Sequence, residues 1–226
     1  MQSQRVRARK IILKLRQAFG EPAWNDKPPV DELISTVLSQ NTNDANRDKA
    51  FTALRKRFPT WEDVLNASTA DVVAAIHPAG LGPQKGPRIR AILQTIQAER
   101  GRIELDFLRG LPPEKAREWL MRLPGVGPKT AAIVMQFALG LPAFPVDTHV
   151  YRVTGRLGLR AEKLSLAAAH EHLAQLFAPE AYASAHLNLI RLGREVCRAR
   201  TPDCPRCPVR GLCPYYRRLK TTVRKP

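Results

Sequence analysis

The sequence predicts an all-α protein, and three observations carry that reading. Apolar residues recur at helical spacing through most of the chain. No segment sustains the strict alternation of a half-buried strand, and β-branched residues are sparse. The connections between periodic segments are short and rich in the residues that start and stop helices.

Residues 4–19 place Val6, Ile11, Ile12, Leu13, Leu15 and Phe19 in a rough helical stripe flanked by basic residues. This N-terminus has no apolar h-region and no cleavage signature, so it reads as a basic amphipathic helix rather than a signal peptide. DELISTVLSQ (31–40) begins a second helix, and DANRDKAFTALRKRF (44–58) forms a third, with Ala50, Leu54 and Phe58 on one side. Thr60 and Asp63 have capping-box spacing ahead of Val64 and Leu65. TADVVAAIH (69–77) is a short helix with Thr69 as its expected cap. AGLGPQKG (79–86) reads as a loop, and PRIRAILQTIQAERG (87–101) as a helix closed by Gly101. PPEKAREWLMRL (112–123) leads through PGVG into 128–139. Helices are then expected at 147–157, 165–177 and 182–196, followed by a mobile basic tail, RRLKTTVRKP.

With 226 residues, 44% of them hydrophobic, the chain can bury one large core or two small ones. Its formal net charge of +17 calls for a polyanionic partner, nucleic acid or an anionic surface. Charge alone is also compatible with a ribosome-associated or merely soluble basic protein. No run of eighteen apolar residues exists, so no membrane span is expected and the chain is read as intracellular.

Four cysteines, Cys197, Cys204, Cys207 and Cys213, fall within seventeen residues as C-x6-C-x2-C-x5-C. In a reducing compartment such a cluster favours metal ligation over disulfides. Zinc and iron–sulfur centres both take four thiolates. Structural zinc sites often use two C-x2-C pairs, and only one is present, CPRC, so the spacing leans toward iron–sulfur. Unligated thiols are the remaining alternative.

LPGVGPKTA (123–131) joins two predicted helices through a glycine turn, a helix–hairpin–helix arrangement. Its glycines permit a tight turn and close approach of another chain, Pro128 suits the first helical position, and the exposed amides can receive a phosphate oxygen. A plain structural turn would also explain the pattern. Lys129 stands at the second helical position, where the dipole works against an ammonium and toward a free amine. Such an amine is suited to Schiff-base formation; the alternative is a lysine that only pairs with phosphate. Eighteen residues on, VDTHVYR places Asp147 just before a helix. Asp147 is an expected N-cap, held as a carboxylate by backbone N–H groups, and a carboxylate near a lysine nucleophile suits deglycosylation chemistry.

Taken together and in order, LPGVGPKTA, VDTHVYR and the cysteine pattern resemble the endonuclease III family of helix–hairpin–helix DNA glycosylases, over about residues 30–213. The resemblance implies two helical domains flanking a DNA-binding cleft. One is a six-helix barrel at 24–140; the other joins 1–23 to 141–226 and carries a [4Fe–4S] cluster on Cys197, Cys204, Cys207 and Cys213. It implies a bifunctional glycosylase and AP lyase of base excision repair that acts as a monomer on damaged double-stranded DNA in the cytoplasm, with the nucleoid in a bacterium. Lys129 and Asp147 fall at the family's catalytic lysine and aspartate. Oxidised pyrimidines and abasic sites are the implied substrates.

DNA contacts are implied at Gln40 and Asn41 in LSQNTND, which would fill the gap left by an everted base, and at Leu81, which would wedge into the duplex. They are also implied at Gly125, Val126, Gly127 and Thr130 of the hairpin, at His149, and at Arg198 and Arg200 of the cysteine loop. Asn41 replaces a glutamine found in one bacterial branch of the family. His170 and His172 lie two apart on a helix and make a poor metal pair. An adenine-mismatch or 8-oxoguanine glycosylase of the same superfamily, a non-catalytic damage-binding protein and a zinc-ribbon protein are the competing readings.

Overall fold

The computed structural model describes residues 2–223, without the side chains of Lys220, Thr222 and Val223. Among the described residues there are twelve α-helices and no strand. In order they are α1 (Gln2–Phe19), α2 (Pro29–Leu38), α3 (Asp44–Arg57), α4 (Trp61–Asn66), α5 (Thr69–Ala75) and α6 (Gly82–Arg100). They continue with α7 (Pro113–Arg122), α8 (Pro128–Val134), α9 (Thr148–Arg156), α10 (Leu166–Ala174), α11 (Tyr182–Glu195) and α12 (Pro214–Val223). The chain divides into two compact units. One runs from Asp26 to Leu141; the other is formed by the residues up to Asn25 and those from Pro142 onward.

In the 26–141 unit, α2 is the central element. Its sequence PVDELISTVL keeps Asp31 and Glu32 half-buried on one side, while Val30, Leu33, Ile34, Val37 and Leu38 are buried, as are Ser35 and Thr36. A helix buried over most of its surface belongs inside a core, and α2 packs against α3, α6 and α8. Leu33→Ala is expected to cost about 2–5 kcal/mol, the usual range for deleting a fully buried leucine. A lowered denaturation midpoint with an unchanged slope is the measurement that checks it.

Local chemistry sets the helix ends. Thr60 Oγ1 accepts the Asp63 N–H at 3.1 Å while an Asp63 carboxylate oxygen accepts the Thr60 N–H at 2.9 Å, the expected capping box. The cap of α5 is Ser68 and not Thr69: Ser68 Oγ accepts the Asp71 N–H, and the Thr69 hydroxyl accepts from Arg90 at 2.7 Å instead. α2 stops at Leu38, so Gln40 and Asn41 lie in the turn beyond it and not in the helix.

The largest departure is at 79–86. α6 begins at Gly82, five residues before the expected start. Pro83 sits in its first turn, where no intrahelical N–H bond is lost. Gly82 and Gly86, one turn apart, let the helix lie close on α5: a Cβ at either would sit 3.0 Å and 2.5 Å from the Val73 methyl groups. These glycines serve packing rather than looping. The expected helix at 128–139 is α8 followed by one π-helical turn, Met135–Leu139, closed by left-handed Gly140. Residues 217–223 of the expected mobile tail belong to α12, and the rest of that tail lies outside the described residues.

In the other unit, α1 buries Ala8, Ile11, Ile12 and Leu15 against a core shared with Val150 and Val153 of α9 and Leu189 and Leu192 of α11. That i, i+3, i+4, i+7 stripe leaves Val6 and Leu13, counted in the expected stripe, on the opposite, exposed side. Arg7 reaches back to the Leu157 carbonyl at 2.8 Å and to that of Leu212.

Candidate active site

The turn between α7 and α8 closes through the Val126 N–H, which donates to the Leu123 carbonyl at 3.1 Å. Gly125 has φ 71°, and a side chain there would collide with Arg88. Gly127 differs. Its φ of −97° suits any residue and no atom lies within 4 Å of where a Cβ would stand. Among the described residues, no contact beyond its chain neighbours requires glycine at that position. The side chains of Val126 and Thr130 are buried, so only their main chain is available to a partner.

Lys129 is half-buried at the second residue of α8, with no side-chain cap at that helix end. Across from α8, α2 carries Glu32. Burial pushes the Glu32 carboxyl above its ordinary range; Lys27, the Thr36 hydroxyl, Arg47 and Lys129 pull it back down. The Thr36 hydroxyl donates to Glu32 at 3.2 Å and Lys27 Nζ stands 3.9 Å from the other oxygen. The sequence reading missed Glu32. Its sequence signal is no more than being one of two acidic residues in the first turn of α2.

The same unit contains the only two non-glycine residues in the left-handed region among those described, Asn41 (φ 54°) and Leu81 (φ 52°). Asparagine tolerates that conformation; for leucine it costs roughly 1–2 kcal/mol. The Leu81 side chain is also 43% exposed. Gln40 is engaged at both ends, its Oε1 accepting from Arg88 at 2.9 Å and its Nε2 donating to the Gly125 carbonyl at 3.3 Å. It therefore acts as a strut between α6 and the hairpin, a role not legible in LSQNTND.

In the second unit, Asp147 caps α9, Oδ1 accepting the Val150 N–H at 2.7 Å. His149 lies against Gly193, its Nδ1 3.1 Å from Arg152, and burial, with Arg152 and Arg194, holds its pKa below the usual value despite Asp147. His170 and His172 each hydrogen-bond a backbone carbonyl, those of Phe144 and Leu159.

Cys197, Cys204, Cys207 and Cys213 line one pocket, walled by Leu157, Leu192, Val196 and Tyr215. All four are free thiols. No three of the described His, Cys, Asp or Glu side chains converge closely enough to hold a single ion. Burial pushes the Cys207 thiol to about 11 and raises that of Cys204. Arg156 at the end of α9 ties the loop down, donating to the carbonyls of Arg198 and Ala199 at 2.7 Å and to Cys197 Sγ at 3.4 Å. The side chains of Arg198 and Arg200 are exposed.

A turn with an unexplained glycine, a half-buried lysine after it, a helix-capping aspartate and four cysteines around one cavity define a class that comparison with known proteins makes definite. The family model of HhH-GPD superfamily base excision DNA repair proteins matches residues 34–179. Endonuclease III of Thermotoga maritima is 34% identical over 190 residues, 84% of each chain. An Arabidopsis thaliana homologue is 45% identical over 129 residues, 57% of this chain and 44% of that longer protein. A solved structure of a trapped endonuclease III–DNA covalent intermediate has a TM-score of 0.83 and 29% identity, covering 96% of this chain and 98% of that one. The chain belongs to the HhH-GPD superfamily of base excision DNA repair proteins. Within it the chain is of the endonuclease III type, a DNA-binding glycosylase and AP lyase. No described helix is long and apolar enough to cross a membrane.

Proposed function

We propose that the chain excises oxidised or ring-saturated pyrimidines, such as thymine glycol, from duplex DNA and then cleaves the strand, with Lys129 as nucleophile. The observation that carries this reading is the placement of Lys129. It is half-buried at a helix N-terminus, where a cation gains nothing from the dipole, directly after a turn whose Gly127 faces open space. The 26–141 unit is read as the barrel domain and the other as the iron–sulfur domain.

The damaged nucleotide leaves the stack, with Leu81 and Asn41 entering the duplex in its place and Gln40 bracing the turn behind them. The hairpin main chain from Gly125 to Thr130, together with Arg198 and Arg200, holds backbone phosphates. His149 supports the Asp147 segment. The Lys129 amine bonds to C1′ as the glycosidic bond breaks, and the base leaves with that electron pair and takes up a proton. Loss of the amine proton and ring opening give an imine. Removal of a C2′ proton then expels the 3′ phosphate by β-elimination, and water hydrolyses the imine to free Lys129. Asp147 supplies negative charge to the sugar as it becomes cationic and assists proton transfer.

Cys197, Cys204, Cys207 and Cys213 would hold a [4Fe–4S] cluster. Four thiols lining one pocket, with a single C-x2-C pair among them, are a donor set that suits such a cluster. When bound, the cluster supplies iron–thiolate bonds that fix the loop. The protein is read as a monomer acting where the genome is, in the cytoplasm or on the nucleoid.

Borohydride reduction in the presence of abasic-site duplex tests the central claim. A one-to-one covalent adduct is expected, and its absence would overturn the lysine mechanism. Iron and sulfide in equal amounts are expected in the purified protein; zinc without iron would overturn the cluster.

A further inference from the structure

Lys85 is the one lysine buried among the described residues, 2% exposed on the first turns of α6. An ammonium in such a place needs partners to offset its desolvation. It has two: the Leu38 carbonyl at 2.8 Å and the Ala79 carbonyl at 2.9 Å. Leu38 O belongs to the C-terminal turn of α2, where carbonyls lack intrahelical donors and a cation is favoured. Those two carbonyls lie just ahead of the two left-handed residues, three before Asn41 and two before Leu81. One turn on, Arg88 holds Gln40, which in turn holds the Gly125 carbonyl. Two side chains on one face of α6 thus tie together the Asn41 turn, the Leu81 turn and the hairpin.

Left-handed residues that a chain could avoid persist where surrounding structure over-determines them, and such strain collects at functional sites. Leu81 is such a residue, and its apolar side chain is exposed to solvent. We infer that Lys85 is a positioning residue that couples the two left-handed turns through the Leu38 and Ala79 carbonyls, so that Asn41 and Leu81 enter the duplex as one unit. This rests on the reading of Leu81 and Asn41 as duplex-inserting residues. Lys85 touches neither DNA nor the reacting atoms. Burial, reinforced by Arg88, lowers its pKa, a cost to the ammonium that the two carbonyl contacts work against.

The test is a double-mutant cycle of Lys85→Met and Leu81→Ala, read as kcat/KM on a duplex with one thymine glycol. Each single variant is expected to lose on the order of tenfold or more, about 1.4 kcal/mol per decade. The double variant is expected to lose no more than the worse single one, because the two act through one insertion event. Both deficits should largely vanish when the lesion sits in a bubble of mismatches, where it is already unstacked. A merely structural defect would lower activity on both substrates alike. Additive losses, or equal losses on duplex and bubble, overturn the coupling. No loss in Leu81→Ala alone instead overturns the insertion reading. Should Lys85→Met fail to fold, Arg88→Met cuts the same assembly at Gln40 without emptying a buried position, and the same outcomes apply to its cycle with Leu81→Ala.

Discussion

Lys129→Ala is expected to abolish borohydride trapping and strand cleavage while leaving binding to lesion-bearing duplex within about tenfold, about 1.4 kcal/mol. No other group is proposed to form the bond to C1′, so removing the amine should remove the adduct rather than slow it. The expected sign of the stability change is informative. Lysine in the first turn of a helix opposes the dipole, typically by 0.3–1 kcal/mol, and alanine is the better helix former. Against that, Glu32 loses one of the cations that favour its ionised form. The net change in thermal midpoint should therefore be small. A variant that binds, melts normally and cannot be trapped identifies the nucleophile; one still trapped at the wild-type level assigns the chemistry to a different amine.

Asp147→Asn is the second large effect. Asparagine caps a helix about as well as aspartate, and its amide oxygen can still accept the Val150 N–H bonded at 2.7 Å. The fold should survive, whereas the negative charge is gone. Single-turnover base release is expected to fall by roughly 10²–10⁴, the range for loss of a positioned acid–base group. Asp147→Ala should add a capping loss of about 0.5–2 kcal/mol in stability. Near-normal base release by the asparagine variant would reduce Asp147 to a cap alone.

The amphipathic and capped helices were legible in the sequence because their information is local. Thr60 with Asp63, Asp147 before α9, and Gly101 after α6 each act on residues within one turn of themselves. The start of α6 was not legible. Gly82 and Gly86 look like loop residues until Val73 is seen lying against them, and that contact is fixed by tertiary packing. The site divides the same way. Lys129 and Asp147 stand in motifs with local meaning. Lys85, Arg88 and Glu32 take their meaning from partners far away in the chain, such as the Leu38 carbonyl 47 positions away. Gln40 likewise bridges Arg88 and the Gly125 carbonyl, partners 48 and 85 positions away.

α9 has one further consequence. Asp147 sits at its start; Arg152 and Arg156, in its later half, hold the Cys197 carbonyl at 3.1 Å and 3.4 Å. At ~1.5 Å per residue the helix spans about 13 Å, so one continuous helix links the capping carboxylate to the thiol loop. Oxidative damage to that loop would then register as misplacement of Asp147, and on the proposed role of Asp147 turnover would fall before the fold did.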